Sequence, residues 1–229
     1  MKVFVLTGAG ISAESGIPTF RGDDGLWEGH RVEDVATPQA FQRNPKLVHE
    51  FYNKRRRFLQ NESVVPNLAH QALAEFERDH DDEFLLVTQN IDDLHQRAGS
   101  RQVLPMHGEL LKARCTLTGD VIEWRDDLTV DTVHPTEPDL VGTLRPHVVW
   151  FGETPIGLDQ IADFAQRCDL FIAIGTSALV YPAAGIVQST GPHCRCVEIN
   201  LDDTPQSSHF DTALRGKASV EVPRFLQSL

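Results

Sequence analysis

A short apolar run that passes directly into a glycine-rich turn constrains this chain more than any other stretch. Lys2-Val-Phe-Val-Leu6 is typical of a buried strand, and Gly8-Ala-Gly10 then leads into a segment compatible with a helix. Glycines at this point let the backbone turn tightly and approach a pyrophosphate, which binds the N–H groups at the start of the helix. The pattern predicts the first turn of a dinucleotide-binding βαβ unit, although Gly-x-Gly alone also fits an ordinary strand–helix turn.

Two features depart from the usual Rossmann fingerprint. The third small position is Ala13, and no acidic residue ends a second strand about 20 residues further on, where a Rossmann fold would bind the ribose. Instead the chain continues as Ile17-Pro-Thr-Phe-Arg-Gly22, with Pro18 closing the short helix. We expect a loop folded over a dinucleotide, with Arg21 near a phosphate.

The composition is that of a soluble globular protein. The chain has 229 residues, of which 41% are hydrophobic and 24% are charged. That length suits one α/β domain with a smaller inserted module. No apolar run approaches the roughly 20 residues that span a bilayer, and the first residues lack the pattern of a signal peptide. We therefore expect a cytoplasmic protein.

Charge and cysteine content restrict the partners and the compartment. The formal net charge is −12, which argues against unspecific binding to nucleic acid or anionic membranes, because both need clustered Lys and Arg. The cysteines, Cys115, Cys168, Cys194 and Cys196, show no disulfide spacing, and free thiols fit a reducing compartment. We expect no nucleic-acid or membrane partner. The sequence does not determine the oligomeric state, and a monomer is the favoured expectation.

Alternating apolar strands and helices predict the α/β class. Patterns of buried strands recur at 83–88, 102–106, 169–174 and 195–199. Helices are expected among others at 67–79, 159–167, 182–188 and 222–229. This alternation implies a Rossmann-like parallel sheet covered by helices on both faces.

Two stretches interrupt the alternation and indicate a smaller module made of two insertions. Residues 28–66 are typical of helices, and residues 111–142 are the least regular part of the chain. We therefore predict a Rossmann-like dinucleotide-binding domain at 1–27, 67–110 and 143–229. The small helical and hairpin module takes 28–66 and 111–142.

Polar motifs follow the predicted strands at their carboxyl ends, where ligands of open α/β sheets bind. In chain order they are Gly8-Ala-Gly-Ile-Ser-Ala-Glu-Ser-Gly16, Thr88-Gln-Asn-Ile-Asp92, His107-Gly108, Val148-Val-Trp-Phe-Gly152, Gly175-Thr-Ser177 and Asn200-Leu-Asp202. This ordered set, together with Phe20-Arg21, resembles the sirtuins, which are NAD-dependent protein-lysine deacylases. The resemblance covers essentially the whole chain and is closest to bacterial sirtuins of the desuccinylase-like class.

The resemblance implies a reaction that consumes NAD as a co-substrate and yields nicotinamide and O-acyl-ADP-ribose. His107 matches the family's catalytic histidine, which removes a proton from a ribose hydroxyl. An imidazole suits that step because its unperturbed pKa lies near working pH, whereas a lone histidine without such a motif is more often a surface or core residue. Asn90 and Asp92 match the residues that bind the nicotinamide carboxamide and the ribose, and Asp92 could also cap a helix.

Further NAD contacts follow from the same resemblance. Gln89 matches a ribose contact, Ser177 and Asn200 match contacts to phosphate and adenosine, and Ala218 would offer backbone near the adenine. The full predicted set of cofactor-binding residues is Gly8, Ala9, Gly10, Ala13, Phe20, Arg21, Trp27, Gln89, Asn90, Ile91, Asp92, Gly175, Thr176, Ser177, Asn200, Leu201, Asp202 and Ala218. The missing acidic residue is then explained, because sirtuins hold the ribose from other strands.

The resemblance also implies where a protein substrate binds. The segment from Val148 to Glu153 is similar to the one that pairs with the substrate backbone as an added β-strand, and we assign contacts to Val148, Phe151, Gly152 and Glu153. This mode uses mostly main-chain hydrogen bonds, so the selectivity for peptide sequence should be weak.

Tyr52 and Arg55 are the predicted readers of the acyl group. Their spacing puts them on one side of a helix, and in the class that this chain resembles such a Tyr-x-x-Arg pair binds the carboxylate of succinyl- or malonyl-lysine. A guanidinium matches a carboxylate bidentately, and a phenol adds one donor. Ala36 matches a small residue that widens the same pocket. Without the resemblance, a solvated arginine face with Tyr52 in the core would be favoured.

Sirtuins usually carry a structural zinc on two Cys-x-x-Cys pairs, and this chain lacks that ligand set. Cys115 fits the first ligand, but Thr118 occupies its partner position and residues 138–143 contain no cysteine. One thiolate cannot make a tetrahedral site. We expect the zinc to be absent and hairpin packing to hold the module.

The main functional prediction is an NAD-dependent deacylase that removes succinyl, malonyl and acetyl groups from protein lysines. A protein mono-ADP-ribosyltransferase would use the same NAD site and is the alternative enzyme. A non-catalytic NAD-sensing module is the alternative without chemistry, and the presence of His107, Asn90 and Asp92 argues against it. A dehydrogenase is disfavoured because the ribose-binding acid is absent.

Overall fold

The part of the chain that the structure describes contains a parallel sheet of six strands, a separate antiparallel sheet of three strands and a pair of short antiparallel strands. The computed structural model describes residues 1–19, 26–27 and 29–229. The strands of this part of the chain are β1 (Val3–Thr7), β2 (Leu26–Trp27), β3 (His30–Arg31), β4 (Phe84–Thr88), β5 (Val103–Pro105), β6 (Gly108–Cys115), β7 (Val121–Glu123), β8 (Leu144–Val148), β9 (Leu170–Ile174), β10 (Arg195–Asn200) and β11 (Thr212–Arg215).

Helices cover both faces of the large sheet and build most of the small module. The α-helices are α1 (Ala9–Ser12), α2 (Val32–Val35), α3 (Pro38–Arg43), α4 (Pro45–Leu59), α5 (Leu68–Asp79), α6 (Leu94–Ala98), α7 (Leu158–Arg167) and α8 (Ala218–Leu226). Segments of 3-10 helix lie at Ala13–Ser15, Ala183–Ser189 and Ser207–His209. Among the described helices, none combines the length and the apolar character needed to cross a membrane.

The order of the large sheet is β11-β10-β9-β1-β4-β5, and all its pairs are parallel. The chain starts in the middle with β1, builds outward through β4 and β5, and returns to the other side of β1 with β9. Thr7, at the end of β1, lies in register between Thr88 of β4 and Ile174 of β9. The strand order therefore reverses between β1 and β9, and open α/β sheets bind ligands at such a switch point.

Alternate residues of the central strands pack on opposite faces of the sheet. Val3 and Val5 lie in a cluster that includes residues of α5 and α8. Phe4 and Leu6 lie in a second cluster with residues of α7 and of the 3-10 segment at 183–189. Because both faces are buried, the strands appear in the sequence as uninterrupted apolar runs instead of alternating ones.

In the small module, helices α2, α3 and α4 pack against the antiparallel sheet β7-β6-β8. Val35 of α2 and Phe51 of α4 share a buried cluster with Leu110 of β6 and with Trp150, which follows β8. The cluster joins the two insertions to the segment after β8, so the helices and the sheet form one packed body beside the main sheet.

A side chain of α4 ties the irregular segment to the helices. The Asn53 amide donates to the Leu128 carbonyl at 2.8 Å, and its oxygen accepts from the Leu128 N–H at 2.9 Å. Leu128 also packs with Ala113, Cys115 and Leu144 of the small sheet. This reciprocal pair gives a segment without regular secondary structure the hydrogen bonds that its buried backbone needs.

The predicted fold class is confirmed, with three local differences. The last helix begins at Ala218 instead of Val222, because Ala218 is buried one turn before Val222 on the same face. The segment after Pro182 is a 3-10 helix, and Gly185 within it lowers its α-helix propensity. The edge strand β11 was not predicted, because it has only four residues, some of them polar, and it is not fully buried.

The small sheet extends past the limits predicted for the second insertion. β6 starts at Gly108, before residue 111, and β8 starts at Leu144, after residue 142. Both flanking segments of the predicted dinucleotide-binding domain therefore contribute to the small sheet. The division into two domains stays a prediction.

Candidate functional site

The predicted motifs meet at one edge of the large sheet. β1 ends at Thr7, β4 at Thr88, β9 at Ile174 and β10 at Asn200, and a polar motif follows each of them or starts there. His107 follows β5 after one intervening residue. Because these strands are parallel, all five motifs gather at the carboxyl edge, around the switch point between β1 and β9.

The glycine turn after β1 packs directly on the turn after β9. The N–H of Gly8 donates to the Ile174 carbonyl at 3.0 Å, and that of Gly10 donates to the Gly175 carbonyl at 2.8 Å. A Cβ on Gly10 would lie 2.7 Å from the Gly175 Cα, and Gly175 has the left-handed φ of 61° that favours glycine. The two turns form a cradle of bare backbone, which a pyrophosphate needs for close approach.

Ser12 joins the two polar residues predicted to bind the nicotinamide and its ribose. The Asn90 amide donates to Ser12 Oγ and to the Gly8 carbonyl, both at 3.1 Å, and Ser12 Oγ donates to the Asp92 carboxylate at 3.0 Å. Asp92 also accepts from the N–H of Leu94, the first residue of α6, at 3.1 Å, although Asp93 occupies the N-cap position of that helix. Burial raises the pKa of Asp92 to about 6, and the two hydrogen bonds oppose that rise. Its carboxyl group is therefore mostly ionised at neutral pH.

One ring nitrogen of His107 is fixed by the backbone. Nδ1 lies 3.0 Å from the Gln89 carbonyl. A carbonyl only accepts, so Nδ1 carries the proton and Nε2 keeps its lone pair. Burial lowers the pKa of His107 below its ordinary value, against the opposing effect of the Gln89 hydrogen bond. The imidazole is thus neutral at pH 7 and presents Nε2 as a base.

Thr176 links the motifs that follow β4 and β10. The Gln89 amide donates to Thr176 Oγ1 at 3.0 Å, and the Asn200 amide donates to the Thr176 carbonyl at 2.7 Å. Thr176 is buried, whereas the adjacent Ser177 is exposed. The carboxyl edge is therefore cross-linked from β4 to β10, and Ser177 lies at its surface.

Most of the remaining predicted NAD contacts follow the ends of β1, β4 and β10: Ala9, Ala13, Ile91, Leu201 and Asp202. Ala218 follows β11 and is the first residue of α8. Phe20 and Arg21 lie outside the described residues, and Trp27 is described only as part of β2. The loop expected to close on a dinucleotide therefore stays a prediction.

The donors at this edge fit a dinucleotide such as NAD. The bare-backbone cradle suits a pyrophosphate. The buried pair of Asn90 and Asp92 offers an amide and a carboxylate close together, and these can bind a carboxamide and a sugar hydroxyl. The neutral imidazole of His107 adds a base at the same edge.

The predicted acyl readers lie in the small module. Tyr52 and Ala36 are 0% and 2% exposed, and the Tyr52 hydroxyl oxygen accepts from the Trp150 indole N–H at 3.0 Å. The Arg55 guanidinium donates to the Phe51 carbonyl at 2.8 Å and lies over the Phe51 ring. Tyr52 therefore packs in the core, which is what its position on an apolar helix face predicts without any family resemblance. It lies on α4 together with Arg55, which is partly buried.

The segment predicted to bind the peptide backbone contacts both His107, at the edge of the large sheet, and Ala36, in the small module. The N–H of Val149 donates to the His107 carbonyl at 2.8 Å, and the N–H of Phe151 donates to the Ala36 carbonyl at 3.0 Å. Phe151 and Gly152 are exposed. The segment therefore lies between the candidate base and the candidate acyl pocket.

Arg145 and Glu153 close this segment into a turn. The Arg145 guanidinium donates to both carboxylate oxygens of Glu153, at 2.8 and 2.7 Å, and to the Val148 carbonyl at 2.8 Å. The same carboxylate accepts from the Trp150 N–H at 2.8 Å. Val148 and Arg145 are buried. The carboxylate of Glu153, a predicted substrate contact, is thus bonded to groups of the protein itself and is only partly buried.

Three residues that the sequence analysis did not single out as site residues hold the site together: Ser12, Asn67 and Trp150. Ser12 lies within the glycine-rich motif, so its position was visible. The Asn67 amide donates to the Ile11 carbonyl at 2.8 Å and to Ser15 Oγ at 2.9 Å. An asparagine before a helix signals a cap, but the contact with the glycine turn depends on the tertiary fold. Nothing in the sequence pattern indicates the hydrogen bond of Trp150 to α4.

The surroundings of Cys115 do not fit a zinc site. Cys115 ends β6, and its Sγ lies 3.5 Å from Thr143 Oγ1. All the cysteines are free thiols, and across the described residues no group of three or more His, Cys, Asp or Glu side chains is arranged to hold a metal ion. One thiol with threonine neighbours lacks the four donors of structural zinc. The absence of zinc from the protein stays a prediction.

Comparisons with known proteins identify relatives over nearly the whole chain. A model of the Sir2 family matches residues 8–182. A Rhodopirellula baltica protein is 65% identical over 233 residues, which cover 99% of this chain and 98% of the relative. An Escherichia coli K12 protein is 54% identical over 230 residues, which cover 100% of this chain and 82% of the relative. Both relatives bear the name NAD-dependent protein deacylase.

Solved structures give the same result. A mutant Sir2 homologue in complex with ADP-ribose has a TM-score of 0.88 at 42% identity, over 99% of this chain and 90% of that chain. A Sir2 homologue in complex with NAD has a TM-score of 0.87 at 42% identity, over 99% and 88%. A Sir2 protein bound to acetylated peptide has a TM-score of 0.82 at 29% identity, over 99% and 92%. On the family match and the sequence identity along nearly its whole length, the chain belongs to the Sir2 family.

Proposed function

We propose that this chain is an NAD-dependent protein-lysine deacylase that removes succinyl, malonyl and acetyl groups. Its products would be nicotinamide and O-acyl-ADP-ribose. The observation that carries the proposal is the presence of His107, Asn90 and Asp92 beside the glycine turn of β1. The shared name of the relatives and the NAD and ADP-ribose complexes of Sir2 homologues support the same activity.

NAD supplies an ADP-ribosyl group that has nicotinamide as its leaving group. Asn90 is held by Ser12 and by the Gly8 carbonyl, so its amide oxygen has a fixed direction in which to accept from a carboxamide. Asp92 is buried and mostly ionised at neutral pH. A carboxylate placed there would stabilise positive charge that develops on the ribose as nicotinamide departs.

His107 is the proposed general base. Its Nδ1–H is bonded to the Gln89 carbonyl, which leaves Nε2 to accept a proton from a ribose hydroxyl. The lowered pKa keeps the ring neutral at working pH, so the base form is the populated form before the reaction starts.

Arg55 and Tyr52 are the proposed readers of an acidic acyl group. A succinyl or malonyl chain ends in a carboxylate, and a guanidinium with a nearby phenol suits that anion. The burial of Tyr52 strengthens the interaction, because charge-assisted hydrogen bonds gain strength away from water. Ala36, on the same wall, has too small a side chain to fill the space that a longer acyl chain needs.

Acylated lysines of other proteins are the proposed partners, bound as an added β-strand along Val148–Glu153. The exposed backbone at Phe151 and Gly152 is the part that an extended peptide can reach. The Sir2 protein bound to acetylated peptide supports this type of partner.

The proposal is tested by NAD-dependent turnover of peptides that differ only in their succinyl, malonyl or acetyl group. Arg55→Met should lower kcat/KM for the succinyl peptide by at least about a hundredfold, since it removes a charge-assisted pair worth about 3 kcal/mol. It should change kcat/KM for the acetyl peptide by only a few fold. Mass spectrometry should detect O-acyl-ADP-ribose, whereas ADP-ribose attached to the protein would indicate a transferase instead.

Arg57→Met is the matched control. Arg57 lies two residues further along α4, is exposed and pairs with Asp127, so its loss removes the same charge without touching the pocket. His107→Tyr should abolish turnover of all three peptides. Equal losses on the succinyl and acetyl peptides in Arg55→Met would refute the acidic-acyl assignment, and full activity in His107→Tyr would refute the deacylase mechanism.

A further inference from the structure

A hydrogen bond between two buried aromatic side chains joins the peptide-binding segment to the acyl pocket. Trp150 is 2% exposed and Tyr52 is 0% exposed, and the indole Nε1 lies 3.0 Å from the phenol oxygen. An indole N–H can only donate. The Tyr52 oxygen is therefore the acceptor of this bond, and the phenol proton is directed away from Trp150.

Trp150 is held from three sides, so the direction of its N–H is fixed. The Arg145 guanidinium lies over the indole ring, 3.6 Å from its centre, and Phe41 contacts the ring with 5.3 Å between ring centres. The Trp150 backbone N–H donates to the Glu153 carboxylate, which itself binds Arg145. The indole cannot turn without breaking these contacts.

A phenol that accepts one hydrogen bond becomes a better donor in the next one, because neighbouring hydrogen bonds polarise one another. The stronger donor would gain most in a hydrogen bond to an anionic acceptor such as a carboxylate. An acetyl group has no such acceptor, so the same chain of hydrogen bonds should not affect deacetylation. Trp150 could therefore influence the choice between acyl groups without touching either of them.

We propose that Trp150 is a positioning residue for acyl selectivity, which holds the Tyr52 hydroxyl in the orientation that donates to the carboxylate of succinyl- and malonyl-lysine. This inference rests on the proposed function. The Arg145–Glu153 pair contributes to the same effect, because it holds the Trp150 indole in place and the indole in turn orients the Tyr52 hydroxyl.

The first test is Trp150→Phe, which keeps an aromatic ring under Arg145 and removes only the indole N–H and part of the ring area. We expect KM for the succinyl peptide to rise about tenfold with little change in kcat, the effect of losing about one buried hydrogen bond. The kcat and KM for the acetyl peptide should stay within about twofold. Trp124→Phe, at a tryptophan in the separate cluster of the small sheet, is the control and should change neither substrate. Equal losses on both substrates in Trp150→Phe would overturn the proposal.

A double-mutant cycle tests whether Trp150 acts through the phenol. Tyr52→Phe should lower succinyl turnover selectively, and adding Trp150→Phe to it should cause no further loss beyond about twofold, because the hydroxyl that Trp150 orients is already gone. A full and independent Trp150→Phe effect in the Tyr52→Phe background would overturn the proposal.

Nuclear magnetic resonance of the indole N–H groups provides a readout that needs no change at Trp150. With 15N-labelled tryptophan, Tyr52→Phe should move the Trp150 indole resonance upfield and accelerate its hydrogen exchange, because the acceptor is lost. Trp27→Phe and Trp124→Phe each remove one indole resonance, so the resonance that remains in both variants belongs to Trp150. An unmoved Trp150 resonance would overturn the proposal even if Trp150→Phe fails to fold.

The failure of this inference and the failure of the proposed function give different results. If Arg55→Met and Tyr52→Phe leave the ratio of desuccinylation to deacetylation unchanged, the acidic-acyl assignment fails and the inference fails with it. If both variants change that ratio and Trp150→Phe does not, the inference alone fails.

Discussion

The chemistry proposed for His107 depends on a single hydrogen bond. The Gln89 carbonyl fixes the tautomer that leaves Nε2 unprotonated. The next residue is under a separate constraint, because a Cβ on Gly108 would lie 2.2 Å from the His147 carbonyl oxygen and its φ is 83°. Any other residue at position 108 would therefore force the backbone next to His107 to shift away from β8.

We expect kcat/KM to fall on the acid side as His107 becomes protonated. Because burial lowers the pKa of this imidazole below its ordinary 6.5, the midpoint of the fall should lie below pH 6.5. The rate at pH 5.5 should then be less than about tenfold below the rate at pH 8. A pH–rate profile with the acetyl peptide measures this midpoint. A midpoint above pH 7 would contradict the assignment of His107 as the base.

Asp92 titrates close to the same range, since its pKa is about 6. The residual activity of Asp92→Asn separates the two groups. If protonation of His107 causes the fall in rate at low pH, the residual activity of this variant should still fall there. If protonation of Asp92 causes it, the residual activity should no longer depend on pH in that range.

Helix α5 supports the glycine turn through its cap. Asn67 accepts from the Ala69 N–H at 3.0 Å, which starts the helix, and donates with its amide to the Ile11 carbonyl and to Ser15 Oγ. One side chain therefore begins a helix and holds the turn that is expected to bind pyrophosphate.

Asn67→Ala should both destabilise the fold and weaken NAD binding. The lost cap costs about 1 kcal/mol, the two lost hydrogen bonds about 1 kcal/mol each, and the loosened turn should raise KM for NAD several fold. The matched control is Asn44→Ala, which removes the cap of α4, where Asn44 accepts from the Leu47 N–H at 3.1 Å. It should lower stability by about 1 kcal/mol and leave KM for NAD unchanged. Equal changes of KM in the two variants would contradict the role assigned to Asn67.

Packing in place of a metal should hold the small antiparallel sheet. Leu128 and Leu144 are fully buried in its cluster, and Cys115 has threonine neighbours where a second thiolate would be needed. We expect metal analysis of the purified protein to find less than about 0.1 zinc per chain and EDTA to leave Tm unchanged, because one thiol cannot form the tetrahedral site. Stoichiometric zinc that is lost together with stability on chelation would contradict this prediction.

The protein as a whole should lose stability in mild acid. Burial lowers the pKa of His49 and of His70 to about 4, and it lowers that of His95 well below the ordinary value. In the unfolded chain these groups titrate near 6.5. Their neutral forms therefore stabilise the fold fully above pH 6.5, and that contribution is lost as the pH falls towards 4. Asp92 and Asp93 have the opposite effect, because burial raises the pKa of both carboxyl groups and this favours folding as the pH falls. These two groups are outnumbered by five histidines with lowered pKa values, since burial also lowers the pKa of His107 and His147.

We expect Tm to decrease steadily between pH 7 and pH 5. Thermal unfolding monitored by circular dichroism at fixed ionic strength measures this decrease. His70→Gln should make the dependence on pH shallower, whereas His193→Gln, at an exposed position, should leave it unchanged. A Tm that is constant or rises over this range would show that the buried histidines are not neutral in the folded state.

The sequence by itself determined the fold class and the identity of the chemical groups. Strands such as Val3–Thr7 are buried on both faces, so they had to be continuous apolar runs. The motif Gly8-Ala-Gly10 directly follows the first of these runs and is visible in the sequence. These are local requirements that each residue meets within a few positions of the chain. For the same reason the irregular segment between β7 and β8 was not predictable in detail, because its order comes from a contact between Leu128 and Asn53, 75 residues apart.

The tertiary structure alone decided which groups touch. Ser12 and Asp92 are 80 residues apart in the chain and 3.0 Å apart in space. Trp150 and Tyr52 are separated by 98 residues and joined by one hydrogen bond. The parallel sheet brings the first pair together because it places the ends of β1 and β4 side by side, and the packing of α4 on the segment after β8 creates the second. The spacing of apolar residues in a sequence predicts which face of a helix or strand is buried. The hydrogen-bond partner of a buried polar group depends instead on how the helices and strands are assembled.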